Sequence, residues 1–223
     1  MSSAEVVIPW LPGCPHRTRA LGYVTSRLRL PFTVAHGSVP WVKANAVMPA
    51  VARSRADVVV VADADCVTDG LEEAIRAVDM GAPWAKPHRD VHRLSEGGTE
   101  AVYNGGDWRE QSLDREVYRG VAGGGFVVAR RETLLEVPLD PRFTGWGQED
   151  ESWALALVTV AGQPYLGEAD LVHLWHPPQQ RLSRRKGSHE NWALMRRYAA
   201  ARRDPEQMRS ILKEIDVPHA AHQ

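Results

Sequence analysis

The 223 residues carry 27 basic and 28 acidic side chains, a formal charge of −1, and 43% hydrophobic residues. That is room for one substantial α/β domain, or one domain with a helical tail, of ordinary globular composition. Two cysteines, Cys14 and Cys66, exclude a disulfide framework, and no apolar stretch approaches the roughly 18 residues of a membrane span. The N-terminal Met1-Ser2-Ser3-Ala4-Glu5 lacks a basic region followed by an apolar run, so no signal peptide is expected. The expected location is cytoplasmic, with no membrane anchor.

In chain order, Glu5 to Trp10 reads as a short strand ending at the turn Pro12-Gly13-Cys14-Pro15. A helix over His16 to Arg29 follows, with Leu21, Val24 and Leu28 at helical spacing. Phe32 to Ala35 predicts a second strand and Trp41 to Arg53 a second helix. Asp57 to Ala62 is the strongest strand, apolar and β-branched, as suits a central strand covered on both faces. A helix over Leu71 to Met80 starts after Thr68-Asp69 and stops at Gly81. This alternation predicts a mainly parallel sheet with right-handed crossovers.

Periodicity fails between Pro87 and Arg119, which reads as a long loop of the kind that serves as a lid or a binding loop or is disordered. Gly123 to Ala129 resumes as a strand, followed by a short helix over Arg131 to Val137. Glu149 to Ala161 has a helical pattern, Tyr165 to Trp175 an extended one, and the tail from His189 predicts helices broken near Asp204-Pro205. From Arg181 to Arg203 there are eight Lys or Arg against one acid. That cluster is either a solvated basic face or a contact for an anionic partner.

Three constellations carry chemistry. Asp63-Ala64-Asp65 leaves the carboxyl end of the strongest strand, where ligands bind in open α/β sheets. Two carboxylates there suit a hard divalent cation, or else cap the turn that follows. Gly145-Trp146-Gly147-Gln148-Glu149-Asp150-Glu151 presents an indole on a tight turn, followed by three acids at a helix start. The helix dipole explains one or two of these acids, and a carboxylate here also suits a general base. His173-Leu174-Trp175-His176 offers two imidazoles that are either structural or nitrogen ligands to the cation of Asp65.

In this order, with Gly123-Gly124-Gly125-Phe126-Val127-Val128-Ala129 between the first and second, the motifs resemble those of GT-A glycosyltransferases. The pattern is similar to the β-1,4-galactosyltransferase and polypeptide N-acetylgalactosaminyltransferase group, and to small glycosyltransferases of actinobacterial phages. The resemblance covers most of residues 5 to 180. It implies an α/β, Rossmann-like GT-A domain over 1–180, with a mostly parallel sheet flanked by helices. Residues 181–223 would form a basic flexible loop and C-terminal helices packing on the same domain.

The implied activity is metal-dependent transfer of a sugar from a nucleotide-sugar donor, UDP-linked by preference, with Mn2+ or Mg2+ as cofactor. Pro9 and Arg17 would surround the base and ribose, and Lys43 and Asn45 would face the nucleotide. Asp63 would bind ribose or metal-bound water, while Asp65, His173 and His176 would ligate the metal. Gly123, Gly124 and Gly125 would admit the donor sugar closely, and Trp146 would pack on a sugar. Glu149 and Asp150 would be the catalytic acids, with Asp150 the base of an inverting reaction. Arg181 would belong to a loop closing over the donor. Glu-Asp-Glu stands where relatives often have Glu-Asp-Asp.

The expected partners are the donor and an acceptor, in a monomer or homodimer. A hydroxymethylated DNA base, a protein, a glycan and a small molecule are all open as acceptor. Two other readings compete: a nucleotidyltransferase on a similar sheet, disfavoured by the single glycine in Trp10 to Arg17, and a non-catalytic sugar- or polyanion-binding module.

Overall fold

Val58, Val59, Val60, Val61 and Ala62 form a strand in which every residue is buried. Such a strand needs apolar cover on both faces, and it has it. The computed structural model describes residues 2–119, 123–178 and 187–215. In it this strand, β3 (Val58–Ala62), pairs in parallel with β1 (Ala4–Trp10), and β1 with β2 (Phe32–His36). On its other side β3 pairs antiparallel with β7 (Phe126–Arg130), and β7 antiparallel with β5 (Trp84–Arg93). β8 (Tyr165–His173) then runs parallel to β5, and the short β4 (Cys66–Thr68) lies antiparallel at its far side. A two-residue β6 (Tyr118–Arg119) pairs with β5 off the main path, completing an eight-stranded sheet.

The parallel expectation holds for β2-β1-β3 and for β5 with β8. Between them β7 runs the other way, because the segment joining β5 to β7 begins and ends at the same end of the sheet.

Side-chain alternation sorts the core into two layers. Val7, Val59, Val61, Val127 and Ala129 face α2 (Lys43–Arg53), α6 (Glu149–Val160), α7 (His189–Ala201) and α8 (Pro205–Lys213). Val6, Ile8, Val58, Val60 and Val128 face α3 (Leu71–Asp79), which buries Ala74, Ile75 and Val78 and exposes Glu72 and Glu73. A third cluster joins α1 (Pro15–Thr25), through Ala20 and Val24, to Val102 on α4 (Glu96–Tyr103) and Val172 on β8. A one-and-a-half-turn helix, α5 (Arg131–Glu136), follows β7. Asp204 caps α8 by accepting from the Glu206 and Gln207 amides, with Pro205 in the first turn, so the tail breaks where the sequence indicates.

The long loop expected over 87–119 is not one. It contains most of β5, all of α4, a 3-10 turn at Trp108–Glu110 and β6. The strand was hidden because its charges alternate irregularly and its pairing with β8 shifts register twice, on either side of His88. No period-2 pattern survives such bulges. Among the described residues, no helix is long and apolar enough to cross a membrane.

Candidate active site

The carboxyl ends of β1 and β3, the start of α2, the start of α6 and the end of β8 open on one cleft of about 880 Å³. That volume suits a ligand the size of a nucleotide-sugar. Pro9, Arg17, Lys43, Asp63, Asp65, Gly124, Gly125, Trp146, Glu149, Asp150, His173 and His176 all line it, so residues distant in sequence meet in one place.

At one end, Asp65 leaves β3 and is buried with its carboxylate facing two imidazoles. His176 Nε2 is 3.2 Å from Asp65 Oδ2, and His173 Nε2 is 3.8 Å from Asp65 Oδ1. Each ring turns Nδ1 to a backbone carbonyl, Leu174 O for His173 and Pro177 O for His176, both at 2.8 Å. An Nδ1–H donating there leaves the Nε2 lone pair facing the carboxylate. Arg93 and Arg17 approach those same Nε2 atoms, at 2.8 and 3.4 Å. Burial holds His173 down to about 4 against the opposing pull of Asp65, so its ring is neutral at neutral pH. Although Asp65 is itself buried, His173, His176 and Arg17 hold its carboxyl far below the usual range.

One carboxylate and two imidazoles are a donor set for Mn2+, and separations of 3.2 to 3.8 Å are near the roughly 3 Å between neighbouring ligands of one such ion. The residues therefore fit the metal. Cys66 was not singled out by the sequence reading as a site residue, yet its Sγ lies 3.6 Å from Asp65 Oδ1 and joins Asp65 and His173 in a compact cluster. Burial and the Asp65 charge push its thiol well up, so it remains protonated and donates to Asp65.

In the middle of the cleft, Lys43 is buried at the first turn of α2 and bridges two acids, Asp63 Oδ1 at 2.9 Å and Asp150 Oδ1 at 2.8 Å. Asp63 is further fixed to the glycine run. Its Oδ2 accepts from Gly125 N at 3.0 Å, and its own amide donates to Gly125 O at 2.8 Å. Burial raises Asp150 despite Lys43, and raises Glu149, which also feels the Asp150 charge. Both shifts favour a carboxylate that takes up a proton. Glu149 Oε2 accepts from Gly147 N at 2.7 Å.

The turn before α6 carries positive φ at Gly145, Gly147 and Gln148, which a run of ordinary residues would resist. It places the Trp146 indole 5.6 Å from that of Trp41, nearly parallel at 21°, with the Arg17 guanidinium 4.9 Å from the Trp146 ring centroid. Asn191 on α7 fastens the turn: Oδ1 accepts from Thr144 N, and Nδ2 donates to Thr144 O and Gly147 O. Trp41 and Asn191 were not singled out in the sequence. Trp41 has the signal of a tryptophan that opens a predicted helix, whereas Asn191 has none.

Two expected donor residues do not reach the cleft. Asn45 is exposed, because two positions along a helix from Lys43 points nearly the opposite way. Gly123 packs under α6, where a Cβ would run into the Asp150 carbonyl, so its role is to seat that helix. Arg181 lies outside the described residues, as do Arg184, Arg185 and Lys186.

No family model and no curated protein matches the chain. Solved structures do. The chain superposes on GalNAc-T7, determined with UDP, GalNAc and Mn2+, at TM-score 0.54 and 12% identity, over 96% of this chain and 55% of that one. The fold is that of GT-A glycosyltransferases. A mycobacterial protein superposes at TM-score 0.51 and 17% identity, over 98% of this chain and 76% of its own. The chain thus spans about half the length of GalNAc-T7. At these identities the likeness shows the GT-A fold alone.

Proposed function

We propose that the chain is a divalent-metal-dependent glycosyltransferase that moves a hexose from a nucleotide-sugar, UDP-linked by preference, to an acceptor hydroxyl. The observation that carries this is Asp65 facing the Nε2 atoms of His173 and His176 at the end of β3, in the cleft that also holds Lys43, Asp63 and Asp150. GalNAc-T7 was determined with a nucleotide, a sugar and Mn2+, and the shared fold supports carrying that chemistry here. Bound to Asp65, His173 and His176, the metal would neutralise charge developing on the departing diphosphate.

The chain's own groups do the rest. Trp41, Trp146 and Arg17 form a flat, cationic wall on which the nucleotide lies. Asp63 and the glycine backbone at Gly124 and Gly125 receive the sugar, and Lys43 bridges Asp63 and Asp150. Asp150, raised by burial, accepts the proton of the attacking hydroxyl in an inverting displacement, and Glu149 is the second acid. The basic run Arg181 to Arg203 is compatible with DNA as acceptor, a hydroxymethylated base being the form that the resemblance to phage enzymes implies, and a protein, a glycan and a small molecule stay open beside it.

The test is nucleotide release from a panel of UDP-, GDP- and TDP-sugars with Mn2+. Release of nucleoside diphosphate supports the reading; release of pyrophosphate would make the chain a nucleotidyltransferase, and no release from any donor would leave a binding module. On a DNA acceptor the transfer rate should fall as salt is added, and a salt-independent rate would remove DNA from consideration.

A further inference from the structure

His88 is only 1% exposed, and among the described residues neither ring nitrogen has a hydrogen-bond partner. Groups of this kind are paired in nearly all folded proteins, so an orphaned imidazole needs an explanation. Its position supplies one. The ring lines the cleft beside Gly125: a Cβ built on that glycine would stand 3.2 Å from His88 Cε1 and 3.5 Å from Nε2. The Gly125 backbone is bound to both the side chain and the backbone of Asp63, and Asp63 to Lys43. His88 therefore faces the part of the cleft that the glycosyl-transfer reading gives to the donor sugar.

The backbone is built to hold it there. The two register shifts between β5 and β8 lie on either side of His88, and bulges beside a site re-aim a side chain. The Pro87 carbonyl next to it is received by Gly70 and Gly167, where any Cβ would collide with it. Phe126 meets the ring at 6.4 Å and 68°, and Val91 and Leu171 also line this part of the cleft. None of these offers a polar side chain. Burial, and then Lys86, hold the imidazole down to about 3, so it is neutral, with one N–H to donate and one lone pair to accept.

We propose that His88 is a specificity residue of the donor site, its neutral imidazole hydrogen-bonding one hydroxyl of the donor sugar and rejecting sugars that lack it. A hydroxyl both donates and accepts, which is the complement of a neutral imidazole that has no hydrogen-bond partner among the described residues. A sugar missing that hydroxyl leaves the ring buried and unpaired, a discrimination of roughly 10- to 100-fold. This assignment rests on the glycosyl-transfer reading and deepens it.

The experiment measures kcat/KM for nucleotide release by the full chain from UDP-, GDP- and TDP-hexoses and their monodeoxy derivatives, with Mn2+. Wild type, His88→Phe and His88→Gln are compared, and Mn2+-dependent UDP affinity is recorded for each. The wild type is expected to reject one deoxy derivative by roughly 10- to 100-fold, His88→Phe to treat it and its parent sugar alike, and His88→Gln to keep part of the preference, all with the same UDP affinity. If His88→Phe keeps every wild-type preference, or loses UDP affinity along with turnover, the assignment is overturned while glycosyl transfer stands. If the wild type releases nucleotide from no donor, the glycosyl-transfer reading itself fails and takes the assignment with it.

Discussion

Lys43 illustrates how one side chain sets the charge balance of the cleft. Its ammonium is buried between Asp63 and Asp150, and these acids, with Glu149 beyond, hold its pKa well above the ordinary value despite burial. Lys43→Met keeps the apolar stem and leaves two carboxylates without their cation, so a loss of about 3 kcal/mol is expected in urea denaturation. Unchanged stability would mean that solvent already screens the two acids. A second residue-scale prediction concerns pH. Burial depresses His88 to about 3, below the value of about 6.5 for an unfolded histidine. Below pH 6.5 the unfolded chain takes up a proton that the native one refuses, so this residue makes stability fall as pH falls. Replacing it with Phe removes that burden. Between pH 6 and 5 the stability of His88→Phe should fall less steeply than wild type by about 1 kcal/mol per pH unit, and parallel slopes would show that His88 is solvated.

At this scale the sequence was most informative for residues inside recognisable motifs. Asp63, Asp65, Trp146, Asp150, His173 and His176 meet in the cleft because each motif ends or starts an element at the same edge of the sheet. Asn45 failed because a motif match ignores the 100° step of a helix, and Cys66 was passed over although it directly follows Asp65.

Among the elements, the Thr144–Gly147 turn depends on a helix more than forty residues downstream, through the three hydrogen bonds of Asn191. Asn191→Ala should cost about 2 kcal/mol and raise donor KM more than it lowers kcat, because the Trp146 wall loosens while the acids stay in place. An equal fall in kcat would instead place the turn in the chemical step. β5 carries the opposite lesson about legibility. β3 was evident from its uninterrupted valines, but β5 carries Lys86, His88, Arg89, Asp90 and Arg93 and bulges twice, so both composition and period concealed a central strand. His88 and Arg93 were concealed with it.

For the whole molecule, the tail is part of the core. Leu194, Met195, Tyr198, Met208 and Leu212 pack with Trp153 and Leu157, and Tyr198 donates to the buried Asp140, which Arg142 also grips. A chain cut after residue 186 would expose this apolar face, and is expected to bind a hydrophobic dye and lose its cooperative thermal transition. A truncated chain melting like the full one would show that the tail is an appendage. The α/β class and helical tail were legible from alternation and caps. The antiparallel entry of β7 was not, since strand direction depends on where the preceding segment returns, which no local pattern records.

The proposed reaction turns on a metal held by Asp65, His173 and His176 that would drive release of a nucleotide from its sugar. The most direct measurement is nucleoside diphosphate release from the donor panel with and without Mn2+, for wild type and Asp65→Ala. Release is expected to require Mn2+ and to fall by at least about 100-fold in Asp65→Ala, whose fold should survive. Wild-type release that continues under a chelator, or at an unchanged rate in Asp65→Ala, would contradict it.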